Sequence, residues 1–408
     1  MSALDRRFTR LLGAAGVSNL GDGVAQAAMP LLVASLTRDP VLVAGATIAG
    51  QGPWLVFALL SGALVDRLDR RRTMVVVDLV RAAIMAVLAL AIFAGRIEIW
   101  LIYLLAFALT TAETLFDPAS EAILPQIVER DTLAAANARL QGLTWVANSF
   151  VGPPLGAILF AAAANLPFVL DAATFAIAAT LVAWIPGRYR PAGRGSGPES
   201  LRAEIAEGLR FLAGHPILRW TTPMAGVTNL AAFAIIAIFV LYVQDVLRLD
   251  EIGYGLLISA LGVGGLAGAI VAGRVIAALG PAGAIRLTLL LGFFSGLALA
   301  LVAHPAVAAL AILSFGVQTT IWNVTVISLR QELVPDALRG RIAGSSRLVT
   351  WGTQPIGALA GGVLAGAFGL QAPLLFSAAL FGLNFLVAVG TVTPRRIAAA
   401  RRAASAAA

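Results

Sequence analysis

Twelve runs of roughly twenty mostly apolar residues follow one another along this chain, separated by short turns that carry nearly all of its arginine. A run of that length has one way to satisfy its backbone in hydrocarbon, which is to close every N–H and C=O within an α-helix. The runs fall at about 11–36, 41–65, 74–95, 98–117, 139–163, 166–186, 216–244, 251–274, 284–303, 305–327, 345–368 and 371–392. Composition argues against a soluble fold. Of 408 residues, 59% are hydrophobic and 12% charged, too few charges to cover so much hydrocarbon in water. The expected fold class is an all-α membrane protein with twelve transmembrane helices.

The arginines decide orientation. The net charge is +8 and lysine is absent, so all 29 basic residues are arginine. If the N-terminus is cytoplasmic, 26 of them fall on the inside and only Arg38, Arg96 and Arg248 outside. That bias is a topology signal, not a nucleic-acid surface, and it places both termini in the cytoplasm. No nucleic-acid partner is expected. The N-terminal run is too long for a cleaved signal peptide. The chain has no cysteine and only His215 and His304, which removes thiolate chemistry and a histidine-rich metal site. No GxxxxGK[ST] loop is present to cradle a nucleotide. Neither an enzyme nor a cofactor is expected.

The chain repeats itself. GVSNL at 16–20 returns as GVTNL at 226–230, an offset of 210. Asp131, Leu133, Gly152 and Gly156 meet Asp336, Leu338, Gly357 and Gly361 at an offset of 205. Two parallel six-helix copies follow, a transporter architecture with its site near the midplane between halves; duplication alone would also suit a channel, and the polar residues below favour a transporter. The expected division is an N-terminal bundle over 1–186, a cytoplasmic linker with an amphipathic helix over 187–215, a C-terminal bundle over 216–394 and a basic cytoplasmic tail over 395–408. The linker opens with GRYRPAGRGSGPES, and Leu201, Ile205, Leu209 and Leu212 then recur at helical spacing.

Between the second and third runs lies GALVDRLDRRRT at 62–73. It resembles the loop 2–3 signature of the major facilitator superfamily, Gly-x-Leu-x-Asp-Arg-x-Gly-Arg-Arg. Gly62, Leu64, Asp66, Arg67, Arg70 and Arg71 match, and Asp69 stands in place of the second glycine. The second copy keeps only Gly273 and Arg274. SNLGDG at 18–23, AETLFDP at 112–118 and the 330–347 loop are similar to a bacterial exporter branch that includes macrolide-efflux and enterobactin-exporter-like proteins. The resemblance implies the major facilitator fold, and it implies that Gly62, Asp66, Arg67, Arg70 and Arg71 latch one facing state. Simple obedience to the positive-inside rule would explain the arginines but not Gly62 or Asp66. NSFVGPPLGA at 148–157 resembles the family's helix 5 antiporter motif through Gly152, Pro153 and Gly156. Close helix packing is the alternative reading there.

Ionisable residues within the runs are costly at membrane depth and mark function or a paired partner. Asp22 falls near the middle of the first run. Glu113, Asp117 and Glu121 line one face of the fourth at i, i+4, i+8. Asp22 and Glu113 are the proton-coupling candidates, with a helix-bend contact the competing role for Asp22. Asp117 and Glu121 read as solvated or paired, and Asp171 as structural. Asp78 and Arg81, one turn apart near the cytoplasmic surface, extend the loop network or neutralise each other. In the family, helices 1, 4, 7 and 10 line the cavity. Asn19, Gln26, Asn229, Gln318, Trp322 and Asn323 are thereby implied to face it, although Asn19 and Asn229 serve equally as interhelical hydrogen-bond donors. Trp100 and Trp184 read as interface anchors.

These readings converge on a secondary active transporter of the cytoplasmic (inner) membrane. It would be a multi-pass monomer working by alternating access, with proton-coupled efflux of a hydrophobic or amphipathic small molecule, drug or siderophore-like. Its partners would be that substrate, protons and the bilayer. Few basic residues are expected at depth, which argues against a polyanion carrier. An importer or lipid transporter on the same fold, or a non-transporting receptor or assembly protein, are the alternatives.

Overall fold

Apolar length dictates what forms. The computed structural model describes residues 6–65, 68–129, 131–187, 189, 198–335 and 338–407, with the side chains of 58–65, 198–202, 204 and 404–407 outside that description. Among the described residues there is no strand. The helices are α1 Arg6–Leu36, α2 Pro40–Val65, α3 Arg70–Phe93, α4 Ile99–Ile127, α5 Leu133–Ala162 and α6 Leu166–Ala183. They continue with α7 Pro198–Gly214 and with α8, which starts at Leu218–Ile236 and bends by 43° into Phe239–Val246. The helical stretch Glu251–Leu301 breaks at Gly280 into α9 (251–279) and α10 (281–301). After it come α11 Pro305–Leu333, α12 Arg339–Phe368, α13 Ala372–Thr391 and α14 Pro394–Ala407.

Among the described residues and apart from α7 and α14, these helices are consistent with the twelve of the sequence reading. Most are long and apolar enough to cross a bilayer. The less apolar α1 and α12 have the length, at 31 and 30 residues. Leu310 and Leu386, 67% and 68% exposed, are at home against lipid chains, where an apolar exterior costs nothing.

Local chemistry sets the helix ends. Asp69 caps α3: its carboxylate accepts from the Arg72 N–H at 3.1 Å and from the Tyr189 N–H at 3.2 Å. The departure from the family's glycine at this position is therefore an N-cap. Gly280, at φ 67°, takes the left-handed turn that ends α9, and Pro281 opens α10 with its fixed φ. His304 caps α11 by accepting from the Ala306 N–H at 3.2 Å.

The chain forms two compact units. The first spans 1–38, 49–196 and 249–259. Its interior is built on Phe8, Leu11, Met74, Ile123, Leu124 and Val182. Here α1 and α5 touch backbone to backbone. A Cβ at Gly152 would lie 2.6 Å from the Gly23 Cα, and one at Gly156 would strike the Val24 carbonyl. Arginines close the helix ends: Arg70 donates to the Ala122 carbonyl of α4 at 3.0 Å, and Arg71 to the Ile185 carbonyl beyond α6 at 2.7 Å. Arg10 donates to the Trp184 carbonyl beside it.

The second unit spans 39–48, 197–248 and 260–408. Its core includes Trp322, Phe381, Leu289, Ile342 and Leu218. The α8–α12 contact repeats that of α1 and α5: a Cβ at Gly357 would strike the Leu230 carbonyl, and one at Gly361 the Ala234 carbonyl. Arg286 of α10 donates to the Val389 and Val392 carbonyls at 3.2 and 3.3 Å, as Arg71 does for α6.

Two features depart from the expected boundaries. Residues 39–48 belong with the second unit because Ala44 packs with Ala237 and Ala358, and Gly362 leaves room for that contact. Residues 249–259 belong with the first, where Gly255 lies against Ala157 and the Pro153 carbonyl. The expected basic tail is the helix α14, whose Ile397 and Ala400 are buried and whose Arg401 pairs with Glu332 at 2.7 Å.

Candidate functional site

One cation sits among four carboxyls inside the first unit. Arg81 lies eleven residues into α3, about 16 Å along its axis. One Nη donates to Asp22 Oδ1 of α1 at 2.9 Å, and the other lies 3.9 Å from Asp78 Oδ1, one turn back on α3. The guanidinium packs over the Phe175 ring of α6, 4.1 Å from its centroid, with Phe116 of α4 at 5.7 Å. Such stacking suits a planar, weakly hydrated cation taken out of water. Glu113 on α4 and Asp171 on α6 act electrostatically on the same guanidinium.

Exposure divides the acids. The side chain of Asp22 is 23% exposed, against 3% for Arg81. Glu113 is also half-buried, whereas Asp78 and Asp171 are fully buried. Neither oxygen of Asp78, nor Oδ2 of Asp171, has a hydrogen-bond partner among the described residues. Asp171 Oδ1 accepts from Thr174 Oγ1 at 3.3 Å. Gly21 makes that position possible, because a Cβ there would strike both Asp171 Oδ1 and Thr174 Oγ1. The carboxyl of Asp171 thus lies against α1 one residue from Asp22.

This corrects the sequence reading in one respect. Arg81 belongs to the bundle interior and not to the cytoplasmic surface, so a basic residue does stand at depth and the inside arginine count drops by one. The signal was present: an Asp–x–x–Arg pair eleven residues into an apolar helix has no water to reach. Arg286, which closes the end of α13, carried no such signal.

The other candidates are dispersed. Asn19 donates to the Ala15 carbonyl of its own helix at 2.8 Å, and Asn229 to the Thr350 carbonyl of α12 at 2.8 Å. Gln26 and Asn323 are exposed. Gln318 and Trp322, expected to face a cavity, are instead packed at 1% and 5% exposure, Trp322 within the second unit's core. Arg70 and Arg71 bind helix-end carbonyls of their own unit, while Asp66, Arg67 and the surroundings of Gly62 lie outside the described residues. Gly152 and Gly156 serve the α1–α5 contact, and Pro153 is buried beside them with its carbonyl near Gly255. Because Gly357 and Gly361 make the same contact in the second copy, packing is sufficient to explain the motif. Trp100 and Trp184 are exposed, as interface anchors would be. Among the described residues no cluster of three or more acidic or histidine side chains has a metal centre's arrangement.

Among the described residues, long apolar helices in two related copies, with a charged cluster inside one, define a multi-pass membrane transporter of the major facilitator fold. A bacterial homologue of the iron transporter ferroportin superimposes with a TM-score of 0.77 at 19% identity, over 96% of this chain and 99% of that one. The family model described as transmembrane secretion effector matches residues 3–406. The chain belongs to that family. Among its relatives is the multidrug efflux pump Tap of Mycolicibacterium fortuitum, 30% identical over 393 residues that cover 90% of each chain. Macrolide efflux protein A of Streptococcus pyogenes is 26% identical over 157 residues, 38% of each.

Proposed function

We propose that this protein is a secondary active exporter that moves a hydrophobic or amphipathic small molecule out of the cell against a flow of protons. The observation that carries the reading is the Asp22–Arg81 pair, in which an accessible acid meets a buried cation. Protonation of Asp22 would cancel the pairing, so that one proton changes the forces between α1 and α3. A packed bundle responds to such a change by switching between discrete arrangements. Glu113 is the second proton carrier. Relatives named for multidrug and macrolide efflux support the outward direction and the substrate class. The working form is a monomer in the cytoplasmic membrane with both termini inside. It needs no cofactor, and the proton gradient is its energy source.

The test is transport by purified protein in liposomes under an imposed pH gradient, with erythromycin as a macrolide and ethidium as a lipophilic dye. The gradient accelerates movement of at least one of them in the wild type. Asp22→Asn and Glu113→Gln bring the rate back to that seen without a gradient. Movement indifferent to the gradient, with both variants matching wild type, would refute proton coupling.

A further inference from the structure

Asp78, like Asp171, is left unused by this mechanism, and its setting beside Arg81 is unusual. It is fully buried, accepts no hydrogen bond among the described residues, and stands 3.9 Å from a guanidinium whose short contact goes to Asp22. A carboxylate in that position would be desolvated with little in return. A neutral carboxylic acid would not. The charged groups that act on it are Arg81 on its own helix and Asp22 on α1, and Glu113 on α4 and Asp171 on α6 act on the same guanidinium. Together these are four acids against one cation, so charge balance in apolar surroundings requires protons within the cluster.

We propose that Asp78 is a resident proton site and that Arg81 exchanges partners between Asp22 and Asp78. With Arg81 on Asp22, Asp78 is a neutral acid. In the exchange, one proton leaves the Asp78 carboxyl and binds the Asp22 carboxylate, while the guanidinium moves from Asp22 to Asp78. One O–H bond breaks and one forms, and the cluster keeps one ion pair throughout. Because both acids flank the same guanidinium, a side-chain rotation of Arg81 suffices. Phe175 and Phe116 hold its plane and exclude water that would otherwise bridge the charges. Asp22, the half-exposed member, exchanges the proton with its surroundings, and Asp78 refills it. This deepens the proton-coupled reading above and rests on it for its role in transport, but the exchange itself is observable without transport.

The test is infrared spectroscopy of the purified full-length protein at neutral pH, reading the carbonyl stretch of protonated carboxyl groups. Asp78→Asn removes one such band from the wild-type spectrum. Asp22→Asn removes the same band, because Arg81 then turns to Asp78, already 3.9 Å from its guanidinium, and takes it as a carboxylate. Asp78→Glu shifts the band and keeps it, and this guards against loss of folding in the amide variant. A spectrum unchanged by Asp78→Asn overturns the resident proton. A band that survives Asp22→Asn overturns the partner exchange, even if the Asp78 variants do not fold. If the band behaves as stated in both variants while erythromycin and ethidium movement ignores the pH gradient, the exchange stands and the coupling reading alone fails.

Discussion

Arg81 concentrates the energetics of the first unit. Removing a partner from a buried, hydrogen-bonded ion pair leaves an uncompensated charge and costs about 3–5 kcal/mol. Arg81→Ala therefore lowers the unfolding temperature of the detergent-solubilised protein markedly, whereas removing Asp22 and Arg81 together costs less than the sum of the two single changes. Arg81→Lys does not restore the wild-type value. A point-like ammonium cannot lie flat over Phe175 while addressing Asp22 and Asp78 at once. His215 sets a second residue-scale expectation, outside the membrane segments. Its Nδ1 accepts from the Ile217 and Leu218 N–H groups at 3.2 and 3.3 Å at the start of α8, and burial lowers its pKa from the usual 6.5. The unfolded chain then binds more protons than the folded one as the pH falls below that value. His215 thus contributes stability that is present above about pH 6.5 and lost on acidification. His215→Asn should flatten that part of the stability–pH curve. Of these residues Asp22 was legible in sequence, because a lone acid inside an apolar run announces itself. Arg81 left a signal in its spacing from Asp78, but it follows a charged loop by only a few turns and arginine counting absorbs it.

At the scale of elements, small residues do the fitting. Gly156 and Gly361 occupy equivalent places in the two copies, and a side chain at either would strike the carbonyl of Val24 or of Ala234. Gly156→Ala must push α1 from α5, and Gly361→Ala must push α8 from α12. Each costs about 1–3 kcal/mol of stability, the usual range for overpacking, and is measured by thermal unfolding of the single variants. Arg286→Ala frees two helix-end carbonyls of α13 and costs about 1 kcal/mol. The helices themselves were readable from apolar length, and the α1–α5 contact left its trace in the repeated glycine spacing. The π-helical turn Val146–Val151 in α5 and the 43° bend in α8 were not readable. A shift from i+4 to i+5 bonding changes no composition. The exchanged segments 39–48 and 249–259 were equally silent, because alanine and glycine contacts such as Ala44 with Ala358 resemble any other apolar stretch.

For the whole molecule, duplication and asymmetry carry the account. The copies share their glycine contacts and their arginine-closed helix ends, yet among the described residues the charged cluster stands in one of them. At the repeat offset of 210, Asp22 corresponds to Ala232. Aligning Pro167 with Pro373, an offset of 206, puts Ser377 opposite Asp171. Proton chemistry is therefore expected from the first unit alone, with the second supplying apolar packing around Trp322 and Phe381. The most direct test is proton movement itself, followed with a pH dye sealed inside liposomes that hold the protein, with no gradient imposed at the start. Adding a transported probe, ethidium or erythromycin, should drive protons in the direction opposite to the probe, and Asp22→Asn should abolish the proton signal. Probe movement at full rate with a silent pH dye would contradict the account.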